Sequence, residues 1–311
     1  MESRVTKSNQ ASLWKGFNLA IFAALLWGVS GAFVQFLVKH RGINIEWLVT
    51  VRLLLSGSVL LVVAIFQRSQ DIWAIWKNKK DVIQLLIYGL LGMLAVQYTY
   101  FVAIKYSNAA TATVLQYAGP VMIMIYLAVK NKSWPDRFGF LAIVFALSGT
   151  FLLVTHGNFG SLAISPRALI WGLASAAALA FYSLYPAKLL QKYSSITVMA
   201  WSMLIAGVLF SFVHAPWQFE GTFDTQSLFS IFFIIVLGSV VAFSAYLNSV
   251  KIIGAQTTSL LASAEPLSAA FISVFWLNVS FGAMDWIGGA LILSTIFLLS
   301  FQQNGKQITG H

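Results

Sequence analysis

The chain has 311 residues, 59% of them hydrophobic and only 9% charged, with no cysteine and a formal net charge of +10. Soluble domains carry roughly 25% charged residues, so this composition excludes a water-soluble fold, and the missing cysteine excludes disulfides, thiolate nucleophiles and thiolate metal sites. The positive charge does not mark nucleic-acid binding, because the basic residues are scattered between apolar blocks instead of gathered on one face.

In chain order, apolar blocks run over residues 16–38, 47–66, 82–104, 106–129, 138–166, 168–187, 193–219, 225–250, 252–277 and 286–305. Eight contain no Asp, Glu, Lys or Arg; the second holds only Arg52 and the ninth only Glu265. A bilayer core about 30 Å thick needs about 20 apolar residues of helix, so each block is long enough to cross once. Transmembrane β-strands would be about 10 residues with strict alternation, and runs such as Phe22-Ala23-Ala24-Leu25-Leu26 do not alternate. The expected fold is therefore all-α: a polytopic membrane protein of ten transmembrane helices.

The first block follows Arg4, Lys7 and Lys15, as a signal peptide would, but it is too long for one, lacks a small-residue cleavage site and is followed by nine more blocks. With the N-terminus inside, fourteen Lys and Arg residues fall in cytoplasmic segments, against Lys39, Arg41, Lys105 and Arg167 outside. That bias places both termini in the cytoplasm of a cell whose cytoplasmic membrane the chain spans.

Sliding the chain against itself by 146 residues aligns residues 91–153 with 237–299. Leucine matches between apolar segments carry little weight, but Gly92/Gly238, Tyr100/Tyr246, Lys105/Lys251 and Pro120/Pro266 fall in one register, with Ala109/Ala255 and Thr111/Thr257 beside them. The repeat unit is five helices, and an odd number of crossings inverts the second copy. The expected organisation is a cytoplasmic tail over 1–15, a five-helix repeat over 16–155, an inverted five-helix repeat over 168–301 and a cytoplasmic tail over 302–311. Inverted repeats offer two nearly equivalent packings, the physical basis of alternating access in secondary transporters. A membrane scaffold made by duplication, a non-transporting receptor and an intramembrane enzyme are the rivals.

The segment from Ala103-Ile104-Lys105-Tyr106-Ser107-Asn108-Ala109-Ala110-Thr111-Ala112 to Gly119-Pro120 resembles the third-to-fourth-span signature of EamA-type transporters in the drug/metabolite transporter superfamily. Leu26-Trp27-Gly28, Val51-Arg52-Leu53 and Glu265-Pro266-Leu267-Ser268-Ala269 are similar to that family's other recurring pieces. The resemblance covers both halves and implies a ten-helix carrier of small solutes. It departs after the fourth and ninth spans, where such halves often carry a Gly-Glu pair and this chain has Val129-Lys130-Asn131-Lys132 and Leu277-Asn278-Val279-Ser280.

Glu265 is the one acidic residue deep inside an expected span. A charge at mid-membrane costs at least about 2.5–3.5 kcal/mol, so it faces the bundle interior, finds a partner or carries a proton. Its candidate roles are proton coupling and pairing with a cationic substrate group; the alternative is a neutral carboxyl bonded to a carbonyl that Pro266 frees. Arg52 lies close enough to the outer end of its span to snorkel to the headgroups, with pairing to Glu265 as the alternative. Pro120 and Pro266 interrupt helices at matching depths, which points to a central site. Gln97 with Tyr100, Thr113 with Gln116, Tyr182 with Tyr185, the repeat-related Tyr246, and Trp27 are the remaining candidate substrate contacts, because amides and phenols in a membrane need partners.

No nucleotide-binding Gly-x-x-x-x-Gly-Lys-Ser/Thr loop and no His-Glu-x-x-His occurs, so neither a cofactor nor a metal is expected. The expected function is secondary transport of small organic metabolites, amino acids or related compounds, with efflux favoured. Gradient-driven uptake and bidirectional facilitation fit the same residues. The expected partners are the small-molecule substrate, the lipid bilayer and a coupling proton.

Overall fold

The computed structural model describes residues 2–67, 71–132, 134–156, 163–253, 258, 261–262 and 264–308, and every regular element among them is helical. The repeat matches at Ala255 and Thr257 lie outside the described residues. Among the described residues ten apolar helices of ten residues or more follow in order: α1 (Leu13–His40), α2 (Ile45–Phe66), α3 (Lys79–Tyr106), α4 (Ala109–Lys130), α5 (Arg137–Thr155), α6 (Pro166–Lys192), α7 (Ser195–Phe210), α8 (Thr225–Ile253), α9 (Ala264–Phe275) and α10 (Ala283–Leu298). Seven are long and apolar enough to cross a membrane; α7, α9 and α10 are shorter. Helix α1 continues back to Glu2 and α10 on to Ile308, so each tail extends a helix as far as it is described.

Short polar residues at the helix boundaries, some between the apolar blocks and some at their ends, start the helices. The side chains of Asn44, Asn108, Asp136, Ser165, Ser194 and Asp224 each accept a bond from a backbone N–H in the first turn that follows. Such caps satisfy donors the helix itself leaves orphaned. The apolar block 193–219 is longer than the helix it contains, because α7 stops at Phe210. Absence of charge does not require helix where a loop finds apolar cover. The indole of Trp47 donates to the Pro216 carbonyl at 2.8 Å and packs edge-on against Phe219, 4.9 Å between centroids.

Helix pairs pack as α1 with α8, α3 with α6, α1 with α9, α4 with α6, α2 with α7, and α5 with α10. Exchanging 1–5 with 6–10 leaves this pattern unchanged, as a two-repeat architecture demands. Glycines allow the two self-paired seams to close. Gly57 faces Met203 and Leu204 while Gly207 faces Leu54, and the α-carbons of Gly149 and Gly288 each point at the other helix's backbone. In lipid, where the hydrophobic effect does not drive helices together, such close approach supplies the dispersion contacts.

The two halves share a further device. Residues Tyr88–Leu94 of α3 and Phe233–Val241 of α8 are π-helical, and the 146-residue shift carries the first onto the interior of the second. Ser239 Oγ donates to the Ile234 carbonyl at 3.0 Å and Arg52 Nε donates to that same hydroxyl at 3.2 Å. Arg52 also lies over the Phe101 ring at 5.2 Å and is buried. It therefore does not snorkel: the widened turn of α8 supplies an acceptor inside the bundle, where a headgroup was expected.

Candidate functional site

A cavity of about 670 Å³ lies between the two halves, walled by α1, α3, α4, α6, α7, α8 and Ile296 of α10, with Glu265 of α9 at its floor. Ligand pockets generally span about 300–1,000 Å³. It reaches the surface at the α4–α5 connection (Asn131, Trp134, Pro135) and at Ser195, where α7 begins.

At the opposite end the connections are tied together. Arg41 pairs with Asp224 at 3.0 Å and donates to Gln226, Asn44 donates to Glu220 at 3.0 Å, and the Thr222 N–H donates to the Arg41 carbonyl at 2.8 Å. Lys39 donates to the Ser107 carbonyl, and His156 meets Asp285 at 2.9 Å. These contacts join the α1–α2 connection to the α3–α4 and α7–α8 connections, and the α5–α6 connection to the α9–α10 connection. The far side instead joins the α2–α3 connection to the start of α7, where Asp71 accepts bonds from Ser194 and Thr197. Alternate connections thus gather at alternate ends, the arrangement of a chain that crosses repeatedly.

Glu265 meets Tyr117 at the cavity floor, where α4 is broken. The helix tightens at Tyr117 and Ala118, whose N–H groups donate to Thr113 and Leu115 carbonyls, and restarts at Gly119 with Pro120 in its first turn. The phenol of Tyr117 lies 2.9 Å from the Ala262 carbonyl and 3.0 Å from Glu265 Oε2. Ala262 is four residues before Pro266, and its carbonyl has no intrahelical donor because proline has no N–H. The carbonyl freed by Pro266 is therefore taken by Tyr117 rather than by Glu265. Span α1 comes against this point directly: Gly28 faces the Glu265 carbonyl and Ser268 so closely that no side chain fits between.

Two aromatic walls line the same cavity. Trp27 of α1 contacts Phe243 and Tyr246 of α8 at 5.2 and 5.3 Å, and Tyr88 of α3 stacks on Tyr182 of α6 at 5.6 Å. These helix pairs, α1 with α8 and α6 with α3, are counterparts under the repeat. Trp27 Nε1 is buried without a hydrogen-bond partner.

Of the residues singled out from sequence, Trp27, Gln116, Pro120, Tyr182, Tyr246 and Glu265 line this cavity. Gln116 Nε2 donates to Ser175 Oγ at 2.7 Å. Gln97, Tyr100, Thr113 and Tyr185 are elsewhere. Tyr100 and Thr113 share a buried hydrogen bond of 2.7 Å that ties α3 to α4, and Gln97 points at Met93 Sδ. Tyr185 stacks on Phe181 and packs against the apolar cluster that includes Tyr88, outside the cavity lining. Arg52 and Glu265 form no ion pair among the described residues. Tyr117, Tyr88 and Phe243 were missed; the available signal for Tyr117 was its place three residues before Pro120, where a helix break frees polar groups. Among the described residues no group of three His, Cys, Asp or Glu side chains is arranged to hold a metal.

A multi-pass helical membrane protein with two matching halves and a polar-floored cavity between them is the architecture of a small-solute transporter. The EamA-like transporter family model matches residues 14–155 and 166–301, one match per half, and the chain belongs to that family. It is 41% identical over 295 residues to a Salmonella typhimurium (strain LT2) protein described as "Uncharacterized inner membrane transporter YicL", covering 94% of this chain and 97% of that one. It is 23% identical to "Uncharacterized transporter YwfM" of Bacillus subtilis (90% and 92% covered) and 21% identical to an "Uncharacterized transporter" of Archaeoglobus fulgidus (92% and 97% covered). A solved structure titled "Crystal structure of protein" superposes with a TM-score of 0.61 at 17% identity, covering 94% of this chain and 98% of that one, and shares the fold. Family and relatives point to a membrane transporter rather than an enzyme.

Proposed function

We propose that this protein is a secondary transporter that exports small organic metabolites, amino acids or related compounds, across the cytoplasmic membrane by alternating access of two inverted five-helix halves. The chain crosses ten times, both termini are cytoplasmic, and the conformation described is inward-facing. The observation that carries the reading is one-sided access: the cavity at the seam reaches one end of the bundle, while the other end is held shut by Arg41, Asp224, Asn44 and Glu220. Fourteen basic residues against four support a cytoplasmic placement of the open end. Export then needs the cargo to enter from inside, the outer contacts to part and the cytoplasmic mouth to close.

Glu265 is the coupling residue in this scheme, since a carboxyl group at the cavity floor can release or take a proton in each conformation. Pro120 and Pro266 provide the helix breaks about which the floor is built. Purified protein in proteoliposomes, given an imposed pH gradient and a mixed metabolite panel, tests the reading. Flux of at least one compound that dissipates the gradient and is lost in Glu265→Gln is expected; gradient-independent, variant-insensitive flux would remove Glu265 from coupling, and no flux of any compound would refute the transporter.

A further inference from the structure

We propose that the cavity selects organic monocations, amines with an apolar or aromatic body, and that cargo and proton compete for the Glu265 carboxylate. This rests on the transporter reading above but departs from its amino-acid cargo, keeping amines from among the related compounds.

The charge of the lining is the first argument. Glu265 is the sole Asp, Glu, Lys, Arg or His among the described residues that form the cavity wall. A cationic ligand finds one opposite charge there; an anion finds a like charge; a zwitterion leaves its carboxylate without a cation, at the cost of desolvating an unpaired charge. Arg52 does not fill that gap, because it lies outside the lining and is engaged by Ser239 and the face of Phe101.

The aromatic walls are the second argument. Trp27, Phe243 and Tyr246 on one side and Tyr88 and Tyr182 on the other line the same cavity as the carboxylate. Ring faces attract a desolvated ammonium group, and the same rings cover an apolar body.

Hydrogen-bond accounting at the floor is the third. The Tyr117 phenol has one hydrogen and two acceptors within reach, Ala262 O and Glu265 Oε2. Ala262 O has lost its helical donor to Pro266, so giving the phenolic hydrogen to it leaves no buried carbonyl unpaired. A protonated Glu265 then meets the phenol oxygen by donating to it. An ionised Glu265 can take the phenolic hydrogen itself, which leaves the Ala262 carbonyl short; with one hydrogen for two acceptors the ionised floor needs a further donor, and an ammonium N–H supplies it. The floor is complete with a proton or with a cation, so one displaces the other. The titratable groups around Glu265 are Tyr117 of α4, Tyr100 of α3, Tyr246 of α8 and Arg52 of α2. Tyrosines stay protonated and arginine charged across neutral pH, which leaves Glu265 as the group that exchanges.

Phenethylammonium, phenylalanine and phenylacetate present one aromatic body as cation, zwitterion and anion. Binding of each to the purified full-length protein, measured by calorimetry between pH 5.5 and 8.5, is expected to favour phenethylammonium over phenylalanine at least tenfold, with phenylacetate undetected. Phenethylammonium affinity should fall as pH is lowered, approaching about tenfold per unit where one proton excludes one cation, and Glu265→Gln should abolish both the preference and the pH dependence. Equal or tighter binding of phenylalanine or phenylacetate by the wild-type protein would overturn the proposal, as would a pH-independent affinity for the amine; neither outcome needs a variant. Counterflow in proteoliposomes separates the two readings: flux of phenylalanine without preference for the amine sinks this inference and leaves the transporter, whereas amine binding with no flux sinks the transporter and leaves the site.

Discussion

Replacing Gly28 by alanine drives a methyl group into the backbone of α9. A Cβ built at Gly28 lies 1.8 Å from Ser268 Oγ, 2.6 Å from the Glu265 carbonyl and 2.8 Å from Ala269 N. The serine hydroxyl can rotate away, but the other two contacts are main chain, so α1 and α9 must separate by roughly 0.8 Å to regain the 3.4 Å of an ordinary contact. Overpacking of this kind costs about 1–3 kcal/mol, and a clash against backbone belongs at the upper end. At about 2–3 kcal/mol the folding equilibrium shifts roughly 30- to 150-fold, at about 1.4 kcal/mol per decade. The assay is reversible unfolding of the purified protein in mixed micelles, with Gly289→Ala as the reference. Gly289 is also helical, but its added Cβ meets only Val114 at 3.7 Å, so the helix-propensity gain common to both substitutions cancels in the comparison. Adding Ser268→Ala to Gly28→Ala should restore only part of the loss, because the two backbone contacts remain. Gly28→Ala as stable as Gly289→Ala would refute the close α1–α9 approach that sets Trp27 and Glu265 around one cavity.

Other expectations follow from the two ends and the second seam. Cysteines introduced at Arg41 and Asp224 in this cysteine-free chain, joined by a bifunctional thiol reagent, should stop transport while leaving cytoplasmic access to the cavity; undiminished flux after cross-linking would show that the outer contacts do not gate. A membrane-impermeant thiol reagent applied to intact cells should label a cysteine at Glu220 and spare one at Trp134, and the reverse pattern would invert the orientation. Asp224 is held below the ordinary aspartate value, first by the Ser227 backbone N–H and then by Arg41. Its contribution is therefore fully present above that ordinary value and lost only as pH falls through the lower one; outer-end closure should be equal at pH 7 and pH 5, and opening at pH 5 would contradict the assignment. Gly149→Leu should loosen α5 from α10, since a Cβ built at Gly149 lies 2.6 Å from the Gly288 carbonyl, and is expected to cost stability without changing which ligands bind.

Much of the architecture was legible in the sequence because the bilayer imposes a length and a polarity on each crossing. Blocks without charge located the helices, the surplus of lysine and arginine gave the expected orientation, and the Tyr, Lys, Gly and Pro matches at one shift exposed the duplication. Glu265 was legible for the same reason, since a lone carboxyl group among apolar residues must have a partner.

What the tertiary structure alone decided is which polar groups meet, because helix rotation and register are set by packing between segments far apart in sequence and not by the composition of either one. Tyr100 and Thr113 were candidates for the cavity and instead bind each other at 2.7 Å; Arg52, expected at the headgroups, is buried against Ser239; Tyr117 reaches across 145 residues of chain to the Ala262 carbonyl. Nor could composition reveal the matching π-helical turns, which depend on how each helix is pressed by its neighbours. The sequence by itself determined that a lone carboxyl group stands in an apolar block; only the fold placed a phenol and a proline-freed carbonyl beside it and two aromatic walls along the same cavity.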